Sequence, residues 1–188
     1  NAGTASYDVI FTPANANYLE ATTKVSVETA KAASSITTTP TASGITYGQT
    51  LADSILSGGV GSVPGSFAFA LASTTPNAGS ASYDVTFTPL DSSNYSPAST
   101  QVTVNTDQVT PTISAKPSAS SILANQDLSS STLSGGTASV PGVFSFQDPT
   151  FKPALGESLV SVTFTPDDAI NYTTSTFTIS ILVNRVPT

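Results

Sequence analysis

Ser82-Tyr83-Asp84-Val85-Thr86-Phe87-Thr88 alternates polar and apolar side chains at every step. Successive side chains of a β-strand point to opposite faces, so Tyr83, Val85 and Phe87 are expected together on a core face. Two other stretches repeat this pattern, with Tyr7, Val9 and Phe11 in one and Val160, Val162 and Phe164 in the other. Phe67, Phe69 and Leu71 predict a second core-facing strand, echoed by Phe144 and Phe146. Val102 and Val104 predict a third, echoed by Phe177, Ile179 and Ile181. Ile36 starts an early strand, Ile45 with Tyr47 marks another, and Leu51 to Leu56 is read as one more.

Between these runs lie turn formers: Pro40, Gly44, Gly58-Gly59, Pro64-Gly65, Pro76-Asn77-Ala78-Gly79 and Pro89-Leu90-Asp91. Short strands at regular spacing, separated by such turns, indicate an all-β sandwich or barrel. No stretch carries a 3.6-residue apolar period, so no substantial helix is expected.

The pattern is a tandem repeat. Asn17-Tyr18, Asn94-Tyr95 and Asn171-Tyr172 recur at intervals of 77 residues. Leu56-Ser57-Gly58-Gly59 returns as Leu133-Ser134-Gly135-Gly136, and Ser62-Val63-Pro64-Gly65 as Ser139-Val140-Pro141-Gly142. These anchors set the phase: 1–31 is the C-terminal part of a repeat, 32–108 a full repeat, and 109–188 a full repeat plus the start of the next linker. No signal peptide is recognisable, and the sequence reads as an excerpt from a longer protein. A repeat of this size buries only about 60% of its unfolded surface, so support from neighbouring repeats is expected.

Composition narrows the chemistry. The chain has no Cys, His, Met or Trp. Ser–His–Asp and Cys–His catalysis are therefore excluded, as are disulfides and imidazole or thiolate metal sites. Charged residues are 9% of the chain, against an ordinary ~25%. Ser, Thr, Asn, Gly and Ala must cover the surface, a composition that suits an extracellular or cell-surface protein. A net charge of −7 with five basic residues offers no basic stripe for nucleic acid. No run approaches the ~20 apolar residues of a membrane span. The expected partners are neighbouring repeats or other copies of the chain, with a glycan or surface protein as the alternative.

Tyr47-Gly48-Gln49, Leu56-Ser57-Gly58-Gly59, Pro64-Gly65-Ser66-Phe67, Ala78-Gly79, Val85-Thr86-Phe87-Thr88-Pro89 and Asn94-Tyr95, in that order, resemble bacterial immunoglobulin-like repeats of large surface proteins and adhesins. The Tyr-Gly-Gln type fits best. The resemblance implies tandem immunoglobulin-like sandwiches serving as extracellular spacer or adhesive modules. The second full repeat departs from it, with Ala124-Asn125-Gln126 for Tyr-Gly-Gln and Ala154-Leu155-Gly156 for Asn-Ala-Gly.

No catalytic, cofactor or metal residue is assigned. Asn-Tyr is the most persistent polar feature, read as a turn in which Asn bonds its own backbone and Tyr packs. Asp84 with Asp91, and Asp167 with Asp168, lack the spacing of a calcium loop. A glycosidase pair of carboxylates is not supported by the scattered acids. A Lys–Asn isopeptide crosslink is impossible in 32–108, which has no Lys, and is open only through Lys116 or Lys152 in the second repeat. Asn94-Tyr95-Ser96 and Asn171-Tyr172-Thr173 fit the N-glycosylation pattern. The leading reading is a structural module of a stalk or fibre, with self-assembly through strand pairing of the half-repeat. The alternative is an adhesin module that binds a glycan or a protein.

Overall fold

A computed structural model describes residues 1–187. It contains two compact units. The first takes in Asn1–Gly44, Thr50–Thr74 and Ser80–Val104; the second takes in Ile45–Gln49, Thr75–Gly79 and residues 105–187. The cuts fall inside residues 32–108. The turns 45–49 and 75–79 and the tail of the last strand are counted with the second unit.

In the first unit, Gly65–Phe69 is the edge strand against Gly79–Pro89, which lies beside Ala98–Asp107. The edge pairing is antiparallel and sets Phe67 opposite Phe87 and Phe69 opposite Val85. Period-2 alternation puts Val85, Phe87, Val102 and Val104 on one face, all 5% exposed or less. Opposite this face run two short antiparallel ladders, Ile36–Thr38 with Val60–Gly61 and Thr41–Ala42 with Leu56–Ser57. Their backbone comes so close that a Cβ on Gly61 would strike the Phe87 ring, and one on Gly59 would strike Phe67. Two packed β layers with an aromatic core make this a sandwich. The Phe67 and Phe87 rings meet at 5.1 Å, tilted by 46°.

The second unit is built the same way. Gly142–Phe146, Gly156–Pro166 and Ser175–Asn184 form an antiparallel sheet, joined by the short strand Ile122–Leu123, which runs parallel to the last strand. Ile122, Leu128, Val160, Val162, Ile179, Ile181 and Val183 form its core cluster. Phe144 and Phe164 repeat the tilted ring pair at 4.9 Å. The all-β immunoglobulin-like sandwich expected from the alternation is therefore the observed class.

Three local readings change. First, Leu51–Asp53 is a single 3-10 turn and not the start of a strand. The Thr50 N–H donates to Asp53 Oδ2 at 2.8 Å and the Asp53 N–H to Thr50 O at 3.0 Å, which winds the chain and drops Leu51 into the core. Leu128–Ser130 repeats this, with Asp127 Oδ1 accepting from the Ser129 N–H at 3.2 Å. Second, Leu71 is 72% exposed, because the strand ends at Phe69 and the Thr74 N–H turns back to Leu71 O. Third, Tyr7, Val9 and Phe11 lie on no core.

That third case concerns the hairpin of β1 (Gly3–Phe11) and β2 (Ala21–Thr29), which pairs Tyr7 with Val25 and Phe11 with Ala21. Every residue of both strands is exposed. Among the described residues no second β layer covers the face that Val85 and Phe87 bury in the full repeat. The other face carries polar cross-strand pairs, including Lys24–Asp8 at 2.8 Å and Ser6–Ser26 at 3.3 Å.

The scarcity of charge is answered by hydroxyls. Ser82–Thr103 and Thr163–Thr176 are paired at 3.3 Å, and Thr41–Ser57 and Ser118–Ser134 at 3.2 Å. Such cross-strand pairs stabilise a sheet surface without ions.

Candidate functional site

The site begins with the turn that leads into Asn-Tyr. In Asp91-Ser92-Ser93-Asn94-Tyr95, Asp91 Oδ1 accepts from the Asn94 N–H at 3.2 Å, and Asp91 O accepts from the Tyr95 N–H at 3.1 Å. The carboxamide of Asn94 folds back on the same acid, with Nδ2 donating to Asp91 Oδ2 at 2.7 Å. Its amide hydrogens therefore face the carboxylate and its Oδ1 faces away. This hydrogen bond from Asn94 holds the exposed Asp91 carboxyl below its usual range.

The freed oxygen has a distant partner. Asn94 Oδ1 accepts from the main-chain N–H of Ala2 at 2.7 Å, across 92 residues, within the first unit. The second unit repeats the arrangement. Asn171 Nδ2 donates to Asp168 Oδ2 at 2.8 Å, and Asn171 Oδ1 accepts from the Ala78 N–H at 2.8 Å, across 93 residues. Nδ2 also reaches Asn77 Oδ1 at 3.4 Å. Asn171 is 6% exposed, so its carboxamide is a buried polar group with its partners supplied.

The donors have a sequence signature. Ala2 sits in Asn1-Ala2-Gly3 and Ala78 in Asn77-Ala78-Gly79. Gly3 and Gly79 both adopt φ +120°, a conformation that only glycine takes without strain. This bend opens each long strand, and the N–H just before it meets the asparagine.

The main chain of the Asn-Tyr turn binds a third segment. Asn94 O accepts from the Ala32 N–H at 2.8 Å, and Asn171 O accepts from the Val109 N–H at 3.0 Å. Ala32 and Ala33 continue as a short parallel pair with Tyr95 and Ser96. The Asn94 and Asn171 turns thus each gather the Asn-Ala-Gly bend of the preceding repeat and the linker that opens their own. The sequence pattern predicts that Asn bonds its own backbone. The structure corrects this, because the Asp three residues earlier takes the amide and leaves the oxygen for a remote N–H. The recurrence of Asn-Ala-Gly at 1–3 and 77–79 was the available signal. Asn17 departs from the pattern. Ala14 stands where the others have Asp, and Asn17 and Tyr18 are exposed.

Tyr172 adds an aromatic contact in the second unit, edge-on to Tyr47 at 5.4 Å. Tyr47 belongs to Tyr-Gly-Gln, which is itself a turn. The Gln49 N–H donates to Thr46 O at 3.0 Å, Gly48 supplies φ +94°, and Gln49 Oε1 accepts from the Thr46 N–H at 2.7 Å. Positive φ at the third position is what a type II turn requires. Ala124-Asn125-Gln126 keeps the geometry, with Asn125 at φ 74° and Gln126 Oε1 accepting from the Leu123 N–H at 2.7 Å.

The remaining candidates separate. Asp84 accepts from Gln101 Nε2 at 3.0 Å. Among the described residues no three acids gather in a way that would hold a metal ion. Lys116 Nζ donates to Thr178 O at 3.0 Å and sits 5.4 Å above the Phe177 ring. Lys152 is exposed. The carboxamides of both sequons, Asn94 and Asn171, are committed to the turn. No helix among the described residues is long and apolar enough to cross a membrane.

No protein-family model matches the chain, and no curated protein matches it. Solved structures similar to it include the EC1-4 segment of Drosophila N-cadherin, at 12% identity and a TM-score of 0.42, over 88% of this chain and 52% of that one. A mutated variant of three titin immunoglobulin domains is similar at 9% identity and a TM-score of 0.33, over 81% of this chain and 66% of that one. The chain thus spans about half of the N-cadherin segment.

Proposed function

We propose that the chain is a structural repeat segment of an extracellular bacterial surface protein, a stalk or fibre module that supplies reach and mechanical continuity. The observation that carries this reading is the recurrence of one bond, Asn Oδ1 to a main-chain N–H of the preceding repeat, at 2.7 and 2.8 Å in two places. A bond that ties successive repeats is of use to an array, and the sheets of those repeats are laced by cross-strand hydroxyl pairs. The repeats 32–108 and 109–185 are taken as the mechanical modules. Pulling the chain from its ends tests this. Each full repeat should release ~77 residues at ~3.4 Å each, a step of about 26 nm. Extension without discrete steps of that length would sink the reading.

A second reading concerns the hairpin. Tyr7 at 58%, Val9 at 47%, Phe11 at 66%, Val25 at 44% and Val27 at 46% exposure form one apolar face. The edge of β1 corresponds to the edge that Gly65–Phe69 occupies in the full repeat. Strand addition from another chain at this edge gives self-assembly. Sedimentation across a concentration series tests it: association should appear and be abolished by Phe11→Asp, whereas a monomer at all concentrations would refute it.

A further inference from the structure

The bend that receives the asparagine occurs a third time. Ala154-Leu155-Gly156 stands 77 residues beyond Asn77-Ala78-Gly79, and Gly156 has φ +96°, in the same region as Gly3 and Gly79. Pro153, like Pro76 before the earlier bend, is buried. The two asparagines of this kind, Asn94 and Asn171, are already engaged on Ala2 and Ala78. Leu155 is 52% exposed.

The residues around this third bend differ from their counterparts in the preceding repeat. Where the repeat 32–108 has Tyr47, the next repeat has Ala124; where it has Ala78, the next has Leu155. A large side chain becomes small and a small one becomes large, so part of the bulk lost at one position returns at the other. Asn77 becomes Ala154 and Asp107 becomes Asn184, so polarity and charge fall together. The main chain is kept: the Ala124 N–H donates to Asn184 O at 2.8 Å, as the Tyr47 N–H does to Asp107 O at 2.9 Å. The donor in this contact is a backbone N–H, so changing the side chains leaves it in place.

From this we infer that Ala124, Leu155 and Gly156 form a docking site for the Asp-Xaa-Xaa-Asn-Tyr turn of a further repeat of this kind. The Asn Oδ1 of that turn accepts from the Leu155 N–H. Its Tyr packs on the Leu155 side chain in place of a Tyr47-type ring. The inference rests on the proposed reading of the chain as a linked array. A second copy presenting Asn17-Tyr18 is the poorer occupant, because Ala14 lacks the carboxylate that turns the amide inward.

The test is amide hydrogen exchange, read by NMR on the whole chain and on the chain lengthened after Arg185 by a second copy of residues 109–187. The added copy should slow exchange at Leu155 by about tenfold, the effect of one added hydrogen bond. Asn171→Ala made in the added copy alone should return Leu155 to its former rate, while Ala78 keeps its protection. Unchanged exchange at Leu155, with Ala78 still protected, overturns the inference and leaves the linked-array reading standing. Protection of Leu155 in the unlengthened chain that rises with concentration also overturns it, in favour of a second copy. Exchange at Ala78 that ignores Asn171→Ala in the resident repeat defeats the array reading itself.

Discussion

Thr106 and Val183 hold the same position of the repeat, and both are buried, at 5% and 2% exposure. Among the described residues Thr106 Oγ1 finds no hydrogen-bond partner. A buried hydroxyl without a partner costs about 1–3 kcal/mol, and valine has the same shape without that cost. Thr106→Val is therefore expected to stabilise the chain by about 1 kcal/mol, raising Tm by roughly 2–4 °C. Urea unfolding checks it, and any loss of stability refutes it. Asn171→Ala has the opposite sign. It leaves the Ala78 N–H and the Asp168 carboxylate without the carboxamide, at an expected cost of about 1–3 kcal/mol in the same assay. Asn171→Asp should do worse, since it sets a second carboxylate against Asp168. Acid acts on the Asp91 copy of the turn. The folded carboxyl titrates below its unfolded value of about 3.8, so its contribution is complete above that value and is lost as pH falls through the folded one. The Asn94 side-chain amide signals should shift with a midpoint below pH 3.8. A midpoint at or above that value would show that the bond does not favour the carboxylate.

At the scale of elements, one residue type in two settings separates pattern from packing. Phe11 and Phe87 share a repeat position, yet Phe11 is 66% exposed and Phe87 is 1% exposed. Phe87→Ala should cost about 3–5 kcal/mol through the cavity it leaves, and Phe11→Ala well under 1 kcal/mol, with equal losses refuting the assignment. Gly65 lies at the edge of the same core. A Cβ there would meet Phe87 Cζ and Thr88 O, each at 2.5 Å, and the second is backbone that cannot turn aside. Gly61 also faces the Phe87 ring, but the repeat places Ala138 at the matching position, so the ring can give way there. Strand identity was legible because Val85 and Phe87, or Ile179 and Ile181, alternate strictly and period-2 patterning is local. The turn at Leu51 is not legible in the sequence because Thr50 and Asp53 cap it through side chains that alternation does not weigh. The partner of Asn94 is not legible locally because it lies 92 residues away, and no local pattern shows what a turn will meet.

Across the whole chain, stability should fall to its lowest in β1–β2, which buries none of its own apolar face. Among the described residues the polar contacts that tie the hairpin and its linker within the first unit include the Ala2 N–H to Asn94 Oδ1, Lys31 Nζ to Ser92 O at 2.7 Å, and the Ala32 N–H to Asn94 O at 2.8 Å. Segments with few buried apolar contacts open locally well below the global unfolding free energy. The hairpin amides should therefore exchange first, while those of 79–89 and 156–166 exchange only with global opening. Asn94→Ala removes the tie made by the Ala2 N–H and leaves the core strands untouched. It should speed exchange in β1–β2 by about tenfold, the loss of one hydrogen bond, without moving the slowest amides. Phe11→Asp separates this from strand pairing with other chains. If the hairpin in solution is covered by another chain, its protection rises with concentration and Phe11→Asp removes the rise. If the polar ties alone hold it, protection is independent of concentration and responds only to Asn94→Ala. Added salt sharpens the choice, because a net charge of −7 repels other copies until it is screened, so pairing strengthens with ionic strength while a neutral carboxamide bond does not.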